Sequence, residues 1–426
     1  MRVPGRTLAA ALLFVTGCAP RVDTDRGWSV HEVTPAFLDS LPVETPALAG
    51  DTYGRAALTF TTRGRDGHDV WLCVSADSGT TFQRPVRVNE ADGAAVVSDE
   101  NRPIAAFGPR GAFAVAWTEH RSGDARATDV RVRPSGDGGW TLARAAYVNE
   151  DRPDAESWQP NLSLWKWRRA ISATHSHPAL AFRRDGGLIA AWIDERDFAS
   201  ADLPPATAGL YAALSPDGGS NWSANRKLRD SVSMCARPAL LSDRAEQVAI
   251  AYRRCDAEVR DPALLVWPVQ VPEVFLDTLL SSDGWQTAQC PPTGPALSSA
   301  PAARWAAWYT GAGDGGIRIA PWSDRGATGV SRPADGGLAD AARPQLVALG
   351  NTTLVAALGR PDSASRRTVL AVRAISGDGS LGPWEHLGAD VEDGWITGLT
   401  DRSALACWIE RAPRRLRIAR LSRSDR

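Results

Sequence analysis

Residues 103–117 read Pro103-Ile104-Ala105-Ala106-Phe107-Gly108-Pro109-Arg110-Gly111-Ala112-Phe113-Ala114-Val115-Ala116-Trp117: a short apolar run, a Gly/Pro turn, and a second apolar run that ends in an aromatic. Each run is too short for a helix and is bounded by turn residues, so the stretch predicts a β-hairpin. Proline is tolerated at a strand start because it need not donate to the ladder there. The same ruler recurs along the chain. An aromatic stands fourteen residues after the proline in Pro46/Phe60, Pro178/Trp192 and Pro238/Tyr252; Leu358 follows Pro344 by fourteen and Trp308 follows Pro295 by thirteen. A seventh unit fits if Gly394 takes the proline place, with Trp408 fourteen further on.

A second motif follows each of the first three hairpins. It reads Ser75-Ala76-Asp77-Ser78-Gly79-Thr80-Thr81-Phe82, Ser135-Gly136-Asp137-Gly138-Gly139-Trp140 and Ser215-Pro216-Asp217-Gly218-Gly219-Ser220-Asn221-Trp222, with a weaker copy at Ser376-Gly377-Asp378-Gly379 and Trp384 beyond. The pattern resembles the Asp-box, or bacterial neuraminidase repeat. Its Asp is expected to accept backbone N–H groups inside a turn, Gly to supply positive φ, and the aromatic to pack between sheets. That makes Asp77, Asp137 and Asp217 scaffold. A further strand follows, as in Val88-Asn89-Glu90 and Val148-Asn149-Glu150. Four strands per unit define an all-β propeller blade. The repeat count gives seven blades, with Trp28–Val33 supplying the fourth strand of the last unit and closing the ring. Six blades is the alternative, with Pro295 or Gly394 heading an incomplete unit.

The N-terminus reads as a targeting segment. Arg2 and Arg6 precede the apolar run Leu8–Val15, which is too short to span a bilayer. Val15-Thr16-Gly17-Cys18 resembles a lipobox, so residues 1–18 are expected to be a lipoprotein signal with lipidation at Cys18, 19–27 a linker and 28–426 the propeller. A plain secretory signal is the alternative. The expected location is the bacterial cell envelope, with the lipid as the sole membrane anchor. With 48 basic and 49 acidic residues in 426, and a net charge of −1, there is no electrostatic case for a nucleic-acid partner. No metal-ligand spacing or cofactor motif stands out.

Propeller topology sorts residues by face. Positions before the proline and after the aromatic should rim one funnel, opposite the Asp turns. Before the proline stand Arg102, His177, Arg237 and Arg343; past the aromatic stand Glu119, Arg121, Asp194, Arg196 and Arg254, with Arg260 and Asp261 nearby. As a cluster they suggest a ligand site; the alternative is solvated rim ion pairs. A long loop before His177, holding Trp158, Trp165, Trp167, Arg168 and Arg169, offers sugar-stacking aromatics or else a capping hairpin. Cys235, Cys255 and Cys290 fall on the funnel side. A Cys235–Cys290 disulfide would staple neighbouring blades, with Cys255 the competing partner. Removing Cys18 leaves an odd five cysteines, so at least one thiol should be free.

Over nearly the whole mature chain these repeats resemble the sialidase superfamily. The segment with Cys235-Ala236-Arg237-Pro238, Tyr252-Arg253-Arg254 and Val259-Arg260-Asp261 is similar to a bacterial group labelled exo-α-sialidase. The resemblance implies an arginine triad on a substrate carboxylate, drawn from Arg237, Arg254, Arg260 and Arg343, a tyrosine nucleophile such as Tyr252 or Tyr309, and Asp194 or Glu119 as acid. The Arg-Ile-Pro signature of that superfamily is replaced here by Arg102-Pro103, Arg237-Pro238 and Arg343-Pro344. The expected function is glycan-directed, as an exo-acting hydrolase of acidic sugars; the rival is a non-catalytic propeller that binds a glycan or an envelope protein.

Overall fold

The structure, a computed structural model, describes residues 27–121, 124–152, 174–197, 207–244, 247–269 and 275–423. The lipobox at Cys18 and the tryptophan-rich loop before His177 lie outside the described residues.

The described residues form seven antiparallel sheets, as the ruler predicts, six of four strands and one, blade 5, of five. The innermost strands are Val43–Gly50, Ile104–Phe107, His175–Phe182, Ala239–Arg244, Ala296–Ser299, Ala339–Leu349 and Val391–Thr400, in blades 1 to 7. Their contacts run from each blade to the next and from blade 7 back to blade 1, so the ring closes. Blades 5 and 7, the two in question, are both complete. In blade 7, Trp28–Glu32 pairs with Arg414–Arg423 as the fourth strand. In blade 5 both Gly326–Ala327 and Arg332–Pro333 pair with the third strand.

The ruler has a direct geometric cause. Gly394 faces Trp408 across the hairpin, and Ile104 faces Ala116, which sets Pro103 across from Trp117. The spacing is thus a cross-strand pair, and in blades 5 and 6, where Ala296 faces Ala307 and Gln345 faces Ala356, the hairpin is shorter by one residue. Apolar residues of both sheet faces are consumed between blades. Each hydrophobic cluster joins two neighbours: Phe113 and Val115 meet Leu72 and Val74 between blades 2 and 1, and Ile189 and Ala191 meet Val248 and Ile250 between blades 3 and 4.

The Ser-x-Asp turns lie on what we term the lower face, at the far end from the start of the inner strands. In blade 2, Thr141 donates its N–H (2.9 Å) and its hydroxyl (2.6 Å) to Asp137, and Gly139 N–H donates to Ser135 Oγ. Blades 1 and 3 repeat the arrangement around Asp77 and Asp217. These bonds hold the carboxyls of Asp137 and Asp217 down to about 2. One expectation fails locally. Phe82 is buried and Trp222 half-buried between sheets, but Trp140 is 51% exposed. Among the described residues the buried Cys73, Cys255 and Cys407 stand outside any disulfide, and a disulfide joins Cys235 to Cys290. It links the segments that lead into blades 4 and 5, as expected from their position.

Candidate functional site

The expected funnel residues separate into two groups. Arg102, His177, Arg237 and Arg343, each just before an inner-strand proline, approach the propeller axis. Glu119, Arg121, Asp194, Arg196, Tyr252, Arg254 and Arg260 stay within their own blades and do not converge with them.

The second group is bound into ion pairs. Glu119 pairs with Arg131 and accepts the Trp117 indole N–H at 3.1 Å; burial pushes its carboxyl up despite the arginine. Arg121 grips Asp129, with Nη2 at 2.6 Å. Asp194 is fully buried and accepts the Trp192 indole N–H (2.7 Å) and Arg196 (2.6 Å), with His175 Nε2 at 3.4 Å. His175 also faces Asp151 at 3.0 Å, and these two carboxylates raise its pKa against the effect of burial. The Tyr252 hydroxyl donates to Asp277 at 2.5 Å, Arg254 adds a bond to the same carboxylate, and burial pushes the phenol up. Arg260 is buried and donates to the Ala257 carbonyl. A pattern emerges: in blades 2 and 3 the ruler's tryptophan donates to the carboxylate two residues further on. Glu119 and Arg121 also line a lateral groove of about 1120 Å³ along the outer strand of blade 2, with Arg131 and Tyr147.

The first group converges on a short segment of which the sequence singled out Arg102 alone. Asp99-Glu100-Asn101-Arg102, leading into blade 2, reaches every other blade. Arg102 forms a two-point bridge to Asp393 of blade 7 (3.0 and 3.2 Å) and donates to the Pro46 carbonyl of blade 1 at 2.7 Å. Asn101 accepts the His177 N–H of blade 3 at 2.8 Å. Glu100 lies 3.8 Å from Arg237 Nε of blade 4 and accepts the Gly294 N–H, just before blade 5, at 3.4 Å. Asp99 pairs with Arg343 of blade 6. Glu100, Asn101 and Arg102 are all buried. The segment therefore acts as a plug at the upper end of the axis.

Below it lies an axial cavity of about 650 Å³. Its inner end is formed by Arg237 and Trp395, and its walls by the inner strands of blades 1, 4, 5, 6 and 7. The Trp395 indole donates to the Leu48 carbonyl across the blade 7–blade 1 seam (3.1 Å), and the guanidinium carbons of Arg102 and Arg237 lie 5.0 and 4.6 Å from its ring. Both are cation–π distances. Arg237 is the exception among the axial arginines: its Nε is buried and makes no hydrogen bond among the described residues. Burial and the neighbouring Arg102 depress its pKa. Burial and Arg237 in turn pull His177 down to about 3, so that imidazole is neutral.

Trp395, Asp393 and Gln345 were missed, yet a signal existed. After the proline position other blades carry Ala47, Ile104, Ala179, Ala239 or Ala296; blades 6 and 7 carry Gln345 and Trp395. Both large residues bridge between blades. Gln345 donates to the Gly394 carbonyl and accepts the Ile396 N–H, each at 2.9 Å.

No protein-family model and no curated protein matches the sequence. Solved structures do. A family 25 polysaccharide lyase, an ulvan lyase bound to -[GlcA(1-4)Rha3S]-, aligns with a TM-score of 0.57 at 10% identity over 89% of this chain and 94% of the lyase. Polysaccharide lyase Uly1 aligns at 0.54 and 9% identity, covering 89% and 90%. The Hadza microbial sialidase Hz136 aligns at 0.50 and 12% identity over 88% of this chain, which spans only 65% of that sialidase. At these identities the likeness is one of fold: the chain is a seven-bladed propeller of the architecture found in glycan-active enzymes.

Two outcomes test the axial geometry. Arg102→Ala leaves the buried Asp393 carboxylate without its partner and is expected to cost about 3–5 kcal/mol in chemical denaturation; a loss under 1 kcal/mol would refute the plug's structural role. His177 binds its proton more weakly folded than unfolded, so the unfolded state takes up more protons between its ordinary value and about pH 3. Stability should fall as pH drops from about 6.5 towards 3, and the His177→Gln variant should show a shallower fall in melting temperature.

Proposed function

We propose that this protein is a glycan-directed propeller that binds an acidic saccharide at the axial Arg237 without cleaving it. The carrying observation is Arg237: a largely buried guanidinium with no hydrogen-bond partner among the described residues, beside an indole, at the end of a cavity of ligand size. Its carboxylate neighbour Glu100 stands 3.8 Å from Nε, beyond hydrogen bonding, and an anionic ligand supplies the missing hydrogen bonds. The fold's likeness to lyase and sialidase propellers supports a glycan as that ligand.

The placement of the expected reacting groups supports binding over hydrolysis. Glycosidases flank the scissile bond with two carboxyl groups that reach the sugar. Here Glu119 and Asp194 are buried in separate blades and committed to Arg131 and Arg196, and the Tyr252 hydroxyl is committed to Asp277. Isothermal titration with N-acetylneuraminate and with glucuronate should detect binding of at least one, weakened about tenfold to a hundredfold by Arg237→Ala. A fluorogenic sialoside should show no turnover above that of the Arg237→Ala variant. Turnover that depends on Arg237 would overturn the non-catalytic reading, and binding indifferent to Arg237 would overturn the site.

Export and lipid anchoring belong to the same proposal. Their support is the apolar run ending at Cys18. Metabolic labelling with an alkyne fatty acid should tag the native chain and leave the Cys18→Ala variant unlabelled; equal labelling of both would remove the anchor.

A further inference from the structure

The axial cavity is open at one end only, and that end is not the one the arginine-rich rim suggested. Its upper limit is Arg237, Pro295, Gln345 and Trp395. Immediately above, Glu100, Arg102 and Asp393 are buried and form no part of its lining. The plug's contacts with all the other blades close that end. At the other end the lining reaches the inner-hairpin turns: Asp51 and Thr52 of blade 1, Ser242 of blade 4, Ser299 of blade 5, and Thr400 and Asp401 of blade 7. Thr52 and Asp401 are exposed. The cavity is therefore a well that opens on the lower face, alongside the Ser-x-Asp turns.

The chemistry of the well is graded along its length. The rim carboxylate of Asp51 is already met by Arg55 at 2.6 Å and by turn N–H groups. The walls are short apolar and hydroxyl side chains, among them Leu48, Val347 and Thr397. At the blind end Gln345 is used up between blades 6 and 7, which leaves Arg237 as the polar group without a hydrogen-bond partner there. A ligand satisfying Arg237 must bring its anionic group in first, with the rest of the molecule trailing towards the lower face. A polymer cannot thread through a closed well. An acidic sugar inside a chain is excluded, because sugars continue on both sides of it.

We infer that the well takes a terminal anionic sugar end-on from the lower face, with a carboxylate or sulfate against Arg237. The inference rests on the binding reading above and adds its direction and its class of ligand: chain ends, not chain interiors. The upper rim, with Arg343, Asp393, Arg411 and Arg414 around a separate pocket of about 510 Å³, takes no part.

Three trisaccharides, titrated against the full chain by calorimetry, test it: two of matched composition, one with glucuronate at the non-reducing end and one with the same glucuronate internal, and a third with a terminal 6-sulfated glucose. At least one terminal acid should bind at least tenfold more tightly than the internal one. Which terminal sugar wins assigns carboxylate or sulfate. Equal binding of internal and terminal glucuronate overturns end-on access while leaving acidic-sugar recognition intact. If none of the three binds, recognition at Arg237 falls with it. Direction is read from two exposed positions. Thr52→Trp at the lower rim should abolish binding of the preferred trisaccharide, and Arg411→Trp on the upper face should leave it unchanged. The reverse result places access on the upper face and overturns the inference, whatever the affinity.

Discussion

The bridge between Arg102 and Asp393 is the interaction on which the ring's centre depends. A propeller buries apolar side chains between blades and leaves its axis unfilled, because inner strands converge without meeting. Here four residues ahead of blade 2 fill the upper axis, bond to blades 1, 3, 5, 6 and 7 and approach Arg237 of blade 4 at 3.8 Å. The bridge is bidentate and buried, so its two partners are held by geometry as well as charge. Desolvating such a pair is expensive, and its value lies in fixing an arrangement rather than in net stabilisation. Around it Trp395 stacks with two guanidinium groups, and Gln345 ties blade 6 to blade 7.

The plug also accounts for the division among the arginines. Its carboxylates, Asp99 and Glu100, stand where an anion approaching from above would stand, and Arg343 takes the first. Glu100 spends an oxygen on the Gly294 N–H and stays 3.8 Å from Arg237. Arg237 is left with a partial partner above and open space below. The outlying charges follow a different logic. Trp117 with Glu119, and Trp192 with Asp194, are pegs at the ends of second strands, each a buried indole N–H satisfied by a carboxylate that an arginine neutralises.

What could be read in advance was local. The fourteen-residue ruler is a hairpin register, and the Ser-x-Asp turns bond within five residues, so both leave short-range marks in the sequence. The closing role of Trp28–Glu32 was legible because the last unit lacked a strand. The site was legible only to the level of which face a residue occupies. Depth and partner were not, since Arg102 and Asp393 are 291 positions apart and Arg343 and Asp99 are 244 apart. The ruler assigns Arg121 and Arg237 to the same rim. One is sealed against Asp129 of its own blade and the other reaches the axis without a hydrogen bond. Apart from Arg102, the plug carries no periodicity, and its residue types are those of any polar loop.

The closing strand sets the timetable of the molecule. Ser29 bonds to the carbonyl of Ser422 across 393 residues. A chain made from its amino end produces the first of these partners 393 residues before the second, which at cellular rates of synthesis is an interval of roughly 20 to 80 seconds. Throughout that time the Trp28–Glu32 edge has no mate and the ring has a gap, the kind of edge that invites pairing with other chains. Circular closure must thus wait for the strand that mates with Trp28–Glu32. The window in which it can go wrong is set by the separation of the two partners along the polypeptide, whatever the strength of any single blade.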